Sequence, residues 1–172
     1  MNNLIYPIYF WLFMVIIMSG FYSILGTGDI TSRLLLSLLV SIWGIRLGTF
    51  LLIDRVIKAK EEDGRYQNLR RHFGSKCGEK FFYFFQGQAL FVLFFSIPFF
   101  IVSTNLSPGL VVWDFLAIAI WSIAIVGEWI SDKQLASFRS NEVSKETVCK
   151  KGLWKYSRHP NYFFEWLHWW SY

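Results

Sequence analysis

Residues 81–103 read FFYFFQGQALFVLFFSIPFFIVS and contain no charged side chain. A helix rises about 1.5 Å per residue, so one helix over this stretch is long enough to cross the ~30 Å hydrocarbon core of a bilayer. Three other stretches have a similar length and at most two charged residues each: 4–25, 34–53 and 110–131. We predict one transmembrane helix for each of the four stretches.

The composition of the whole chain also indicates a membrane protein. Of its 172 residues, 54% are hydrophobic and only 17% are charged, whereas about a quarter of a soluble domain is charged. Backbone amides in the bilayer core have no water to bind, and none of these stretches shows the two-residue alternation of a barrel strand. We therefore predict an all-α, polytopic helix bundle in a single membrane domain, 1–172. It has four complete spans and the start of a fifth helix at 160–172.

The distribution of cations predicts how the chain is oriented. Of the 17 Lys and Arg residues, 15 lie in two long loops, 54–80 and 132–158. Alternating spans place both loops on one side, and the positive-inside rule assigns that side and the N-terminus to the cytoplasm. We expect a multi-pass protein of the bacterial inner membrane, or of the endoplasmic reticulum in a eukaryotic host. The net charge of +5 then indicates contact with anionic lipid rather than with nucleic acid.

The two cysteines predict neither a disulfide nor a metal site. Cys77 and Cys149 lie one in each long loop, without a CxxC motif and without histidines at metal-ligand spacing. Paired or metal-binding cysteines normally show such spacing. We therefore expect no metal in this protein.

The second predicted helix carries a stripe of small residues. Ser37, Ser41, Gly44 and Gly48 follow one another at spacings of four, three and four. Small residues let two helix backbones approach closely in a membrane, so this stripe predicts a packing face. Arg46 lies between the two glycines and points away from that face, toward another neighbour or toward the membrane surface.

The fourth predicted helix carries a ladder of polar residues. Glu128, Asp132, Leu135 and Arg139 also follow at spacings of four, three and four, which places them on one face of a helix that continues beyond the membrane. Such a ladder can bind a polar ligand that enters from the cytoplasm. The alternative is that ion pairs, Asp132 with Arg139 or Arg46 with Glu128, only hold helices together.

The C-terminal segment, 150–172, reads KKGLWKYSRHPNYFFEWLHWWSY. Pro160 is suited to the first turn of a helix, because it lacks the amide that would have no partner there. The two residues before it are the cationic Arg158 and the titratable His159, at a helix terminus whose dipole favours an anion. The first turns then carry an amide, a phenol and a carboxylate: Asn161, Tyr162 and Glu165. This pattern is suited to a cofactor that bears phosphate.

Several motifs of the chain resemble those of a known membrane-protein family. The most specific is GLWKYSRHPNY at 152–162, and its Arg-His-Pro core also occurs in sterol reductases and isoprenylcysteine methyltransferases. The others are WGIRL at 43–47, EDGRY at 62–66, and the side chains of Glu128, Asp132 and Gln134. Together they resemble the membrane proteins with domain of unknown function 1295, relatives of the steroid 5-alpha reductases.

This resemblance implies an enzyme that acts on CH–CH groups, an NADPH-dependent reductase of an activated carbon–carbon double bond in a lipid-like or steroid-like substrate. It implies that NADPH is held by Asp132, Arg139, Trp154, Tyr156, Arg158, His159, Asn161, Tyr162 and Glu165. Glu165 matches a carboxylate near the nicotinamide, and Arg158 with His159 matches the phosphate side. Cations are needed there because the cofactor carries several phosphates. The resemblance assigns no proton donor.

The chain departs from the family pattern at two places. Phe164 replaces a family glycine, and its ring is expected to crowd the close backbone approach that glycine permits. In addition, 160–172 rises only ~20 Å as a helix, too little to cross the bilayer, whereas family members continue through further helices. We therefore expect the 172-residue chain on its own to bind NADPH poorly and to be inactive.

Two other functions remain open from the sequence. One is an isoprenylcysteine-type methyltransferase that uses S-adenosylmethionine. Its sulfonium needs fewer cations than the phosphates of NADPH, so a cationic cluster favours the reductase: Lys150, Lys151, Lys155 and Arg158. The other is a non-catalytic membrane protein in which Arg46, Glu128 and Asp132 form packing ion pairs.

Overall fold

The computed structural model describes residues 6–53, 68, 71–74, 77–140 and 148–172. All regular elements in these ranges are helical, as predicted. The α-helices are α1 (Tyr6–Leu25), α2 (Ile30–Leu51), α3 (Cys77–Phe95), α4 (Ile97–Ser103), α5 (Val112–Arg139) and α6 (Pro160–Trp169), and a 3-10 helix covers Gly152–Lys155. The EDGRY motif at 62–66 and most of the predicted loop at 54–80 lie outside the described residues.

The length and composition of the helices make the chain an integral membrane protein. Within the described residues, three helical segments are long and apolar enough to cross a bilayer: Ile30–Leu51, Gly78–Ser103 and Val112–Arg139. The first predicted span corresponds to α1, in which Leu12–Leu25 forms a shorter apolar helix. The count of four spans therefore stays a prediction, as does the orientation of the chain.

The helices form two compact units, Met1–Gly109 and Leu110–Tyr172. In the first unit, α1 packs on α2 through the predicted glycine stripe. A Cβ atom added to Gly44 would lie 2.6 Å from Cδ1 of Ile16, and one added to Gly48 would lie 3.9 Å from Cδ1 of Leu12. The predicted packing role of these two glycines is confirmed.

The third predicted span is broken at Ser96, between α3 and α4. Pro98 lacks a backbone amide and its ring conflicts with the carbonyl four residues earlier, so a regular helix is interrupted there. The Ser96 hydroxyl donates to the carbonyl of Leu93 at 2.8 Å. This hydrogen bond satisfies a carbonyl next to the break.

The start of α2 is tied to the residues that follow α4. The amide of Gly28 donates to the carbonyl of Ser103 at 2.9 Å, and that of Asp29 donates to the carbonyl of Asn105 at 2.8 Å. Any Cβ on Gly28 would overlap the backbone of Asn105, so only glycine allows this approach. Asp29 also caps α2, because its carboxylate accepts from the amide of Thr31 at 2.8 Å.

The second unit is built on α5, which extends eight residues beyond the predicted end of its span and ends at Arg139. The continuation of the helix to Arg139 matches the prediction made from the polar ladder. At the other end of α5, the Asp114 carboxylate accepts from the amide of Val111 at 2.7 Å. The 3-10 helix and α6 both pack on α5, and this packing positions the candidate site.

Candidate functional site

The contacts between α5 and the C-terminal segment form an antiparallel interface, which we call the α5–α6 seam. At its charged end, the side-chain carbonyl of Gln134 accepts from the amide of Leu153 at 2.9 Å. One turn back along α5, the carbonyl of Ser131 accepts from the Trp154 indole at 3.0 Å. The 3-10 helix is thereby fixed to α5, and it leads directly into α6.

A glycine allows the 3-10 helix to lie this close to α5. Gly152 has a φ of 57°, in the left-handed region, and a Cβ on it would overlap the side-chain amide of Gln134. Both the backbone conformation and the space therefore require glycine. The GLW part of the C-terminal motif is explained by this packing.

The middle of the seam is a close contact between the two helices. The ring of Phe164 lies on the backbone of Gly127, and any Cβ on Gly127 would overlap that ring. Ser131, one turn further along α5, is fully buried and donates its hydroxyl to the carbonyl of Gly127 at 2.7 Å. The α5 side of the seam thus consists of small residues next to two acids.

Those two acids are Glu128 and Asp132. They are 3% and 5% exposed, and both belong to the buried face of α5 together with Trp121, Ala124 and Gly127. A buried carboxylate in a membrane protein is costly and commonly marks a functional site. The predicted ladder is therefore buried at these two positions, whereas Arg139 is exposed at the end of α5. The pairing of Arg46 with Glu128 stays a prediction.

Asn161 faces the seam from the first turn of α6. Its side chain is half-buried, and its Oδ1 atom is fully buried and accepts no hydrogen bond from the described residues. Because the helices run antiparallel and Phe164 contacts Gly127, the residue one turn before Phe164 lies at the level of Ser131, next to Asp132. A buried acceptor without a donor costs about 1–3 kcal/mol, so this atom suits a donor from a bound ligand.

The predicted cofactor residues are divided between the seam and the surface. The structure brings three of them to the seam, Asp132, Trp154 and Asn161, and leaves Glu165, the neighbour of Phe164, half-buried. It leaves five exposed: Arg139, Tyr156, Arg158, His159 and Tyr162. Tyr156 and Tyr162 are 83% and 64% exposed, and the ring of Tyr162 stacks on that of His159 at 5.2 Å between centroids.

An exposed cationic segment precedes the N-terminus of α6. Residues 148–160 contain no acidic side chain, and their four cations are all exposed: Lys150, Lys151, Lys155 and Arg158. The positive end of the α6 dipole adds to their field. Within the described residues, no group of His, Cys, Asp and Glu is arranged to hold a metal ion.

Two residues near the C-terminal end of α6 belong to none of the predicted sites. His168 is fully buried, and its Nε2 atom lies 2.9 Å from the hydroxyl of Tyr172. Together with Glu165 they repeat at spacings of three and four, and Glu165 and His168 share one face of α6, while Tyr172 lies three residues beyond its end. The same spacing had identified the ladder on α5, so this signal was present in the sequence.

Comparison with known proteins gives one match. Residues 8–172 match the family described as "Protein of unknown function (DUF1295)". The matched range includes α5, the 3-10 helix and α6 in full. No curated protein and no solved structure matches the chain.

Proposed function

We propose a function for this chain, which belongs to the DUF1295 family: it is an NADPH-dependent reductase of an activated carbon–carbon double bond in a lipid-like or steroid-like substrate. The resemblance of its motifs to the steroid 5-alpha reductases supports the reaction class. The buried Oδ1 atom of Asn161, which lacks a donor among the described residues, is the observation that carries the proposal. It lies where the resemblance implies the cofactor.

The polar groups of the seam fit the uncharged parts of a dinucleotide. Asn161 offers a buried amide oxygen, which can accept from the carboxamide of a nicotinamide or from a ribose hydroxyl. Asp132 offers a carboxylate one turn from the charged end of the seam, and it can accept from ribose hydroxyls. NADPH would supply the hydride, while these residues hold and orient it.

The cations before α6 fit the phosphates of the cofactor. Four exposed cations without an intervening acid, beside a helix N-terminus, form a site for anions. S-adenosylmethionine carries a positive sulfonium and, in place of phosphates, a single carboxylate, so it gains less from this field than NADPH does. This difference favours NADPH over the methyltransferase cofactor.

The surroundings of the site fit a substrate from the bilayer. The apolar part of α5 exposes large hydrophobic side chains, among them Trp113, Leu116, Ile123 and Val126. These side chains are suited to contact with lipid. We propose that the charged end of the seam faces the cytoplasm, where NADPH is dissolved, and that the substrate reaches the other end of the seam through the membrane.

The proposal is tested by titrating the protein expressed from its complete reading frame, in detergent, with NADPH and with S-adenosylmethionine, followed by its tryptophan fluorescence. We expect NADPH to bind and Asn161→Ala to weaken it about 3- to 10-fold, the value of one hydrogen bond. The ligand-free variant should unfold at the same temperature as the wild type or higher, because it loses a buried acceptor without a donor. Asn105→Ala, in the first unit, is the matched control and should leave the affinity unchanged.

The same titration separates the alternative functions. Binding of S-adenosylmethionine in place of NADPH would contradict the reductase and support an isoprenylcysteine-type methyltransferase. If neither cofactor binds and Asn161→Ala only lowers the unfolding temperature, the seam is a packing interface in a non-catalytic membrane protein.

A further inference from the structure

A buried histidine and a tyrosine form a hydrogen-bonded pair at the end of the seam that is farther from the cationic segment. His168 has no exposed surface, and its Nε2 atom lies 2.9 Å from the Tyr172 hydroxyl. Burying an ionisable side chain in a membrane protein is expensive, so such residues commonly serve a function with a defined partner. The cofactor assignment above uses neither residue.

The surroundings of the pair contain both apolar and charged groups. From α5, the buried Trp121 lies near Tyr172, and Glu165 on α6 acts on the Tyr172 hydroxyl through its charge. Glu128 lies buried on the same face of α5 as Trp121. The Ser171 hydroxyl donates to the carbonyl of His168 at 2.6 Å. A phenol held in this way has a fixed orientation and a partner that can replace its proton.

The order of residues along α6 matches the order of groups in a reduction. Asn161, Glu165 and His168 repeat at spacings of four and three and so share one face of α6. The first two are cofactor residues of the proposed function, and Glu165 is placed by the resemblance near the nicotinamide. His168 lies on this face further from the charged end, and Tyr172, three residues beyond the end of α6, is held to it by their hydrogen bond. A lipid-like substrate would lie there.

We propose that Tyr172 donates the proton that completes the reduction and that His168 is a positioning residue that orients Tyr172 and restores its proton. This assignment rests on the proposed function. The β-carbon of the substrate gains the hydride with its electron pair, and a negative charge develops on the conjugated carbonyl and α-carbon. The O–H bond of Tyr172 then breaks as a C–H bond forms at the α-carbon. The Nε2–H proton of His168 moves to the phenolate as the Nδ1 atom takes up a proton from water, so the imidazole stays neutral.

The test uses the protein expressed from its complete reading frame, with Tyr172→Phe, His168→Gln and, as a control, Tyr83→Phe, which alters an exposed tyrosine of the first unit. The first measurement is NADPH-dependent reduction of 2-cyclohexenone, together with the NADPH affinity and the unfolding temperature. The second needs no cofactor: exchange of the α-hydrogens of cyclohexanone in deuterium oxide, followed by mass spectrometry. A group that protonates the α-carbon also removes a proton from it in the reverse direction.

We expect Tyr172→Phe to slow reduction by about 100-fold or more, the usual contribution of a general acid, and to abolish exchange. His168→Gln should slow both about 10-fold, and NADPH affinity should stay within twofold in all variants.

A Tyr172→Phe protein that reduces and exchanges at the wild-type rate overturns the assignment. So does a variant whose losses follow a fall in unfolding temperature and NADPH affinity. A wild type that binds NADPH but neither reduces nor exchanges overturns it and leaves the cofactor site intact. Failure to bind NADPH refutes the proposed function, and exchange then still decides the role of Tyr172.

Discussion

The ring of Phe164 occupies the space that a side chain on Gly127 would fill, which lets α6 lie directly on the backbone of α5. The sequence predicted that Phe164 would crowd a close approach, since relatives carry glycine there. In this chain the large residue, Phe164, lies on α6, and the glycine that permits the close approach, Gly127, lies on α5. The two positions are complementary, and whether Phe164 affects cofactor binding stays a prediction.

Replacing Gly127 should destabilise the second unit. In Gly127→Ala the new methyl group overlaps an aromatic ring that is packed in the seam, and overpacking of this kind costs about 1–3 kcal/mol. Thermal unfolding in detergent would measure the loss. The double variant Gly127→Ala with Phe164→Ala should lose less than the sum of the two single changes. Gly20→Ala is the control, because a Cβ there would meet nothing within 4 Å; equal losses at Gly20 and Gly127 would contradict this account.

Alanine substitutions at the two glycines of the α1–α2 contact should differ in their effect on stability. A methyl group on Gly44 meets the end of the Ile16 side chain, which can move, whereas the one on Gly48 has ordinary contact distance to Leu12. We expect Gly44→Ala to destabilise less than Gly127→Ala. Gly48→Ala should be neutral or stabilise by up to about 1 kcal/mol, the difference in helix propensity. A larger loss at Gly48 than at Gly44 would contradict the packing of this interface.

The backbone and the packing contributions at Gly152 can be separated. Gly109 has a similar left-handed φ, 68°, but a Cβ on it would meet nothing within 4 Å, whereas one on Gly152 would overlap Gln134. Each Gly→Ala change should cost about 1–2 kcal/mol for the backbone conformation. Gly152→Ala should cost more, because it also displaces the Gln134 amide from Leu153. Unfolding of the two variants measures that difference, and equal losses would show that Gln134 simply moves aside.

The sequence predicted the helical class because charge-free stretches of this length have few other structures open to them in a bilayer. It did not predict the break at Ser96, although Pro98 is a known cause of such a break. The contact between Gly127 and Phe164 joins residues far apart in the chain, so no local pattern contains it.

The sequence predicted the candidate site only in part, because the motifs do not show which residues of α6 face α5. Consecutive residues of a helix point about 100° apart, so Asn161 and Tyr162 cannot both face α5. The resemblance named both, and the structure turns Asn161 into the seam and exposes Tyr162. His168 belongs to none of the motifs that indicate the cofactor site. Its hydrogen-bond partner, Tyr172, is four residues away, beyond the end of α6.

The stability of the first unit should depend on pH through Asp29. Partial desolvation opposes its ionisation, but hydrogen bonds from Thr31, Gly109 and Ser32 outweigh it, and the pKa of this carboxyl lies below its usual value. A lowered folded-state pKa means that the ionised form contributes stability above the unfolded-state value of about 3.9. This contribution is lost as the pH falls through the folded-state pKa.

Unfolding temperatures between pH 6 and pH 3 should therefore fall more steeply in the wild type than in Asp29→Asn, which keeps a capping oxygen without a charge. Asp29→Ala should unfold earlier at neutral pH as well, since it loses the cap itself. Parallel pH profiles for the wild type and Asp29→Asn would show that the charge on Asp29 does not stabilise the start of α2.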